Sequence, residues 1–197
     1  MDELTALVVC GGLSTRMGRD KSLIRWHNMA QRYFLCQLLA PLCKSVFISC
    51  NDAQSHEIDP GYAYIVDDEK FSNTGPMAAL LTAFTRYPKA AFILIGCDYP
   101  FIGEADVIQL INNRNENDCV VSFFNETTEF YEPLLAVYEN KIAGSLFDNF
   151  QRQQFSLQTI LKILDAHKVY PAELKRIKSV DTPADYLIAV EEMKVKN

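Results

Sequence analysis

The chain has 197 residues, 49% hydrophobic and 22% charged, as in ordinary globular proteins, which excludes a disordered chain, a coiled-coil rod and a collagen-like repeat. Lys and Arg total 19 and Asp and Glu total 25, a formal net charge of −6. That balance disfavours general nucleic-acid binding and leaves room for a local basic patch around one small anion. The six cysteines (Cys10, Cys36, Cys43, Cys50, Cys97 and Cys119) form no C-x-x-C pair and read as small core residues of a reducing cytosol. The acidic start Met1-Asp2-Glu3-Leu4-Thr5 reads as no secretory leader, and the longest apolar run, Ala90 to Cys97, is too short to span a bilayer. A cytoplasmic protein with no membrane or nucleic-acid partner is expected.

In chain order, Leu4–Cys10 is a nearly continuous apolar run, as expected of a central strand covered on both faces. Gly11–Leu23 follows, with glycines and then charges. Phe34, Leu35, Leu38, Leu39 and Leu42 repeat at helical spacing, and Pro41 falls near the helix end. Ser45–Cys50 and Tyr62–Val66 read as strands. Pro76 opens a helix that runs to Arg86. Ala91–Cys97 is the second buried central strand.

Glu104–Asn113 reads as a helix, then Cys119–Phe124 and Pro133–Tyr138 as strands. Helices are expected at Asn140–Phe150 and Ser156–Leu164, and strands at Lys168–Tyr170 and Ile177–Val180. A last helix has Asp181 or Thr182 as its cap and Pro183 in its first turn. Its inner face is expected to carry Tyr186, Leu187 and Val190. This alternation predicts an α/β fold of three layers, α/β/α, around a mostly parallel sheet. Ligands bind such sheets beyond the carboxyl ends of the strands. The functional search therefore falls on Gly11–Lys21, Asn51, Asp67–Pro76 and Asp98–Pro100.

Cys10-Gly11-Gly12-Leu13-Ser14-Thr15-Arg16-Met17-Gly18-Arg19-Asp20-Lys21 follows the first strand. A glycine-rich turn there exposes backbone N–H groups that can cradle phosphates, and Arg16 and Lys21 add positive charge. It is neither a Walker P-loop nor a G-x-G-x-x-G fingerprint: five residues separate Gly12 from Gly18, and no Gly-Lys-Ser/Thr follows. Asp98, at the end of the second buried strand, can hold Mg²⁺ together with substrate phosphates, or cap a turn before Pro100. Asp67-Asp68-Glu69 ahead of Gly75-Pro76 can bind sugar hydroxyls or base N–H groups, or form a solvated acidic loop. His27, His56 and His167 are isolated and read as surface or structural residues. Cys97 reads as a core cysteine rather than a nucleophile, since no histidine is near it in sequence. Phe123-Phe124 and Phe130-Tyr131 pack or flank an acceptor cleft.

Taken together, these segments resemble the nucleotidylyltransferase superfamily, and most closely its molybdenum cofactor guanylyltransferase (MobA) family. The glycine segment, Asp68, Gly75-Pro76-Met77-Ala78-Ala79 and Cys97-Asp98-Tyr99-Pro100 fall in that family's order and spacing across essentially the whole chain. The resemblance implies a Rossmann-like, mostly parallel twisted sheet of the nucleotide-diphospho-sugar transferase kind. It implies one nucleotidylyltransferase domain over 1–197, with a nucleotide-binding half at about 1–103 and an acceptor-binding half at about 104–197.

The implied reaction transfers GMP from GTP to molybdopterin phosphate and releases pyrophosphate, with Mg²⁺ as cofactor. GTP would lie on Cys10, Gly11, Gly12, Leu13, Ser14, Lys21, Asn51, Asp68, Gly75 and Asp98. Asp98 would hold the metal, Arg16 and Lys21 the triphosphate, and Ser179 and Asp181 the acceptor, beside the Glu132-Pro133 edge. Transient contact with other molybdenum-cofactor proteins is also implied. Three departures stand out: Cys10 for the usual Ala, Ala79 for a glycine, and Ser179-Val180-Asp181-Thr182-Pro183 where the guanylyltransferases show N-x-N-T-P. Asp181 can cap the last helix or accept from a neutral, donor-rich part of the acceptor, and the cap is the commoner role for an Asp before Thr-Pro. A relative using CTP or a sugar or alditol phosphate, and a non-catalytic nucleotide-binding module, are the alternative readings.

Overall fold

The computed structural model describes residues 3–10 and 20–194. The glycine segment, with Gly11, Gly12, Leu13, Ser14 and Arg16, lies outside the described residues. The strands are β1 (Leu4–Val9), β2 (Ser45–Cys50), β3 (Tyr64–Val66), β4 (Ala91–Gly96), β5 (Val120–Asn125), β6 (Phe130–Tyr138) and β7 (His167–Val169). They form one seven-stranded sheet in the order β3-β2-β1-β4-β6-β5-β7. Every pairing is parallel except those of β6, which runs antiparallel to both β4 and β5.

β1 and β4 are buried along their whole length. Because side chains alternate across a strand, one run feeds two cores. Ala6, Val8, Ile93 and Ile95 face the core beneath α1 (Gln31–Leu39) and α4 (Glu104–Asn112). Leu7, Val9, Phe92 and Leu94 face the core beneath α3 (Met77–Arg86), α5 (Ala143–Gln151) and α6 (Leu157–Ile163). The three layers and the mostly parallel sheet are those expected. The short α2 (Asp52–Ser55) and the C-terminal α7 (Pro183–Lys194) complete the helices. No helix of the described residues is long and apolar enough to cross a membrane.

Several expectations change. Ile177–Val180 is not a strand. A 3-10 turn spans Leu174–Ile177, and the Val180 N–H donates to the Asp98 carbonyl at 2.8 Å, a loop rather than a sheet edge. Val180 is buried with Phe101 and Ala189, so a tertiary contact overrides the β-branched run. Leu187 points outward, 64% exposed, and Ala189 takes the inner position of α7. The expected helix at Asn140–Phe150 divides into a 3-10 turn, Asn140–Ile142, and α5. β6 begins three residues early, at Phe130, because Asn125 and Phe130 pair across a hairpin.

Beyond the carboxyl end of β3, burial pushes the Asp67 carboxyl up to about 6, against a hydrogen bond from Ser49 (2.7 Å) and the attraction of Arg86. A carboxyl raised in the folded state binds its proton more tightly there than in the unfolded chain. Its contribution is therefore complete below pH 4 and is lost as pH rises through about 6. Asp67→Asn keeps an acceptor for Ser49 and removes the buried charge. The variant should be more stable than wild type by about 1–2 kcal/mol at pH 8, and no more stable below pH 4. Paired melting curves at the two pH values check this, and an equal gain at both would contradict it.

Candidate active site

β1 and β4 lie side by side, and the chain leaves them in opposite lateral directions, β1 toward β2 and β4 toward β6. That is the switch point at which doubly wound sheets open a crevice. Cys10 and Cys97 follow the two strands, with their sulfurs 3.4 Å apart. Burial raises the Cys97 thiol well above its ordinary range, so it is a protonated wall residue and no nucleophile.

Asp98 comes next. One carboxylate oxygen, Oδ1, is sealed from solvent and has no hydrogen-bond partner among the described residues. Burial pushes this carboxyl up to about 6, with Lys21 pulling it down, Asp181 pushing it up and its own backbone N–H pulling it down. The oxygen fits because position 96 is glycine: a Cβ there would stand 2.4 Å from Asp98 Oδ1 and 3.1 Å from the Leu134 side chain.

A segment from the C-terminal part of the chain closes over this point. Besides the Val180 contact, Asp181 Oδ1 takes the Lys21 ammonium at 2.6 Å, and Asp181 Oδ2 accepts from the Ser179 hydroxyl at 2.8 Å. Asp181 is therefore not the cap of α7. Thr182 is, in a reciprocal pair: Asp185 N donates to Thr182 Oγ1 (3.2 Å), and Thr182 N donates to Asp185 Oδ2 (2.9 Å). α7 is fixed by Trp26, whose ring lies 5.1 Å from that of Tyr186.

On the other flank of Asp98, the buried Tyr99 donates its hydroxyl to Glu132 Oε2 at 2.8 Å. Burial pushes Glu132 up to about 7, the Tyr99 hydrogen bond opposes this, and Asp98 and Asp181 add to it. The structure thus gathers Lys21, Asp98, Ser179 and Asp181, with Tyr99 and Glu132 beside them.

Asn51 and Asp68 follow the carboxyl ends of β2 and β3, but their side chains are already engaged. Asp68 accepts from Lys70 N and pairs with the Lys70 ammonium at 2.9 Å. Gly75 is exposed at φ +61°, a left-handed turn before α3 that suits glycine. Asn51 forms a capping box with Gln54: Gln54 N donates to Asn51 Oδ1 (2.9 Å), and Asn51 N donates to Gln54 Oε1 (3.2 Å). The Gln54 amide nitrogen then donates to the Cys10 carbonyl (3.2 Å) and to Asp20 Oδ2 (2.8 Å). Cys10 and Asp20 flank the glycine segment on either side, so one amide ties its two ends together.

Sequence reasoning did not find Gln54. The S/T/N-x-x-Q spacing marks a capping box, but nothing in it tells where the second face of the amide points. Two of the histidines have structural contacts: His27 lies 3.0 Å from the Pro100 carbonyl and stacks on Phe34, and His167 pairs with Asp118 at 2.7 Å.

No three His, Cys, Asp or Glu residues among those described form a ready metal cage. A cation at Asp98 would take its remaining ligands from phosphate oxygens and water. Oxygen donors and one unpartnered carboxylate oxygen suit a hard divalent ion such as Mg²⁺.

The sequence model of the family described as the MobA-like NTP transferase domain matches residues 6–169. A molybdenum cofactor biosynthesis bifunctional protein from Synechocystis sp. is 31% identical over 187 residues, which cover 93% of this chain and 52% of that protein. The chain thus spans about half the length of that relative. A probable molybdenum cofactor guanylyltransferase from Bacillus cereus is 23% identical over 203 residues and is covered, as is this chain, to 100%. Among solved structures, molybdopterin-guanine dinucleotide biosynthesis protein A from Archaeoglobus fulgidus superposes with a TM-score of 0.77 at 19% identity, covering 98% of this chain and 100% of that one. With most of its length matched, and with Lys21 and Asp98 brought together at the switch point of its sheet, the chain belongs to the MobA-like NTP transferase family of nucleotidyltransferases.

Proposed function

We propose that this protein transfers GMP from GTP to the phosphate of molybdopterin and releases pyrophosphate. The carrying observation is the sealed Asp98 oxygen, without a partner among the described residues, beside the Lys21–Asp181 pair where β1 and β4 end. The names of the curated relatives support molybdopterin as acceptor and guanylyl as the transferred group.

The acceptor phosphate is already an anion near neutral pH, so the reaction needs alignment and charge neutralisation rather than a strong base. Asp98 would hold Mg²⁺, which supplies positive charge on phosphate oxygens when bound. Lys21 is half-sheltered and held in place by Asp181. Its ammonium can turn to the triphosphate and neutralise the leaving pyrophosphate, with Arg16 as the second cation. Gln54 ties Cys10 to Asp20, the described residues on either side of the glycine segment. The field is local, and a net charge of −6 does not oppose it.

Three outcomes are expected. Asp98→Asn should lose turnover by about a hundredfold or more, the scale of removing one preorganised group. Its melting temperature should hold or rise, because a charge whose burial outweighs the attraction of Lys21 is gone; normal turnover at saturating Mg²⁺ would overturn the metal assignment. Gln54→Ala should raise the KM for GTP by about tenfold for the lost ties, with little change in kcat. An unchanged KM would show that the amide only caps α2. In thermal shift with Mg²⁺, GTP should stabilise more than CTP or ATP, because guanine presents adjacent N1–H and N2–H₂ donors. Equal stabilisation by GTP and CTP would contradict guanylyl transfer and favour a cytidylyl donor.

A further inference from the structure

We propose that Glu132 recognises the acceptor, accepting two adjacent N–H donors from the edge of its ring, with Lys178 facing an anionic group of the same molecule. The inference rests on the guanylyl-transfer reading and concerns its second substrate.

A cavity of about 370 Å³ opens on the β6 side of Asp98, lined in part by Asn125, Glu132, Lys175, Ile177, Lys178 and Ser179. Its size falls in the usual range for a small-molecule site. Two contacts join it to the centre described above. Ser179, which lines it, donates to Asp181, and Glu132, which also lines it, accepts from Tyr99 in the Asp98 loop.

The sheet register explains the placement. β6 pairs antiparallel with β4 through Ile95 and Leu135. Continued three residues further, that register sets Asp98 opposite Glu132. Cys10, the last described residue before the glycine segment, follows β1, on the other side of β4. A nucleotide bound there and a molecule in this cavity would meet from opposite sides at Asp98, as transfer between two substrates requires.

The chemistry of the wall selects the ligand. Glu132 is half-buried, and the Tyr99 hydroxyl holds Oε2 in place. Among the described residues no donor reaches Oε1, so Glu132 in its ionised form can accept two parallel N–H bonds in a fixed plane, and such a donor pair would itself favour that form. A 2-aminopyrimidinone edge supplies that donor pair. Ile177 offers an apolar wall for the body of such a ring. Glu192 holds Lys175 at 3.0 Å but stands 3.9 Å from Lys178, so Lys178 is the ammonium more able to turn toward a bound anion. Guanine carries the same edge as a pterin. Its position across Asp98 from Cys10, the end of β1, assigns Glu132 to the acceptor.

The test is steady-state kinetics of GMP transfer from Mg²⁺–GTP to purified molybdopterin by wild type, Glu132→Gln and Glu132→Ala, with the KM for each substrate and the melting temperature recorded. Glu132→Gln retains the shape and an acceptor for Tyr99, but replaces one of two acceptors by a donor. Both variants should raise the KM for molybdopterin by about tenfold or more and leave the KM for GTP within about twofold. Tyr99→Phe, which frees Glu132 without removing it, should shift the same constant in the same direction by less. A normal KM for molybdopterin in Glu132→Gln would overturn the inference. So would a rise confined to the KM for GTP, which would place guanine at Glu132. Wild type that transfers GMP to no molybdopterin would overturn the underlying reading as well, and is told apart by the wild-type arm alone.

Discussion

An unpartnered carboxylate oxygen inside a protein is costly, by about 1–3 kcal/mol for the missing hydrogen bond and more for the charge. Asp98 carries that cost, and its surroundings preserve it rather than relieve it. Gly96 clears the space the oxygen occupies. Lys21 lowers the carboxyl but gives its hydrogen bond to Asp181. The Val180 N–H takes the Asp98 carbonyl, fixing the loop from the far end of the chain. Among the described residues this oxygen is dry and unsatisfied, and on the proposed function it is where a cation would bind.

The inverted strand gives this point two sides. Parallel β1, β2 and β3 all deliver their carboxyl ends to one stretch of the sheet edge, where Cys10, Asn51 and Asp68 follow. β6 runs the other way, so its beginning, not its end, reaches the same edge and brings Glu132 there. The Asn51–Gln54 box belongs to the first side and the Tyr99–Glu132 bond to the second. Lys21 and Asp181 join the two, since one comes just after the glycine segment and the other just before the last helix.

Local signals in the sequence carried most of the fold. Ser45–Cys50 was legible to the residue, because its strand-forming side chains end where Asn51 caps a helix. β1 and β4 were legible as unbroken apolar runs because both of their faces are covered. Asp98 stood out because it ends such a run. What could not be read depends on contacts distant in sequence. By residue type Asp181 is, if anything, the better cap, yet Lys21, 160 residues away, and Ser179 hold its side chain and leave the cap to Thr182. Ile177–Val180 has strand-like residues, yet its backbone is drawn to the Asp98 loop. Gln54 and Tyr99 are ordinary residues in sequence and gain their roles only from the partners that folding brings to them.

On the proposed function, the Asp98 oxygen takes a cation that nucleotide phosphates complete. A crystal of the protein grown with GTP and Mn²⁺, with anomalous data collected at the manganese edge, tests this directly. The account predicts a peak about 2.0–2.3 Å from Asp98 Oδ1 that also touches phosphate oxygens, as for a hard six-coordinate ion. Ordered GTP beside an Asp98 with no metal peak, or a peak held elsewhere, would contradict it.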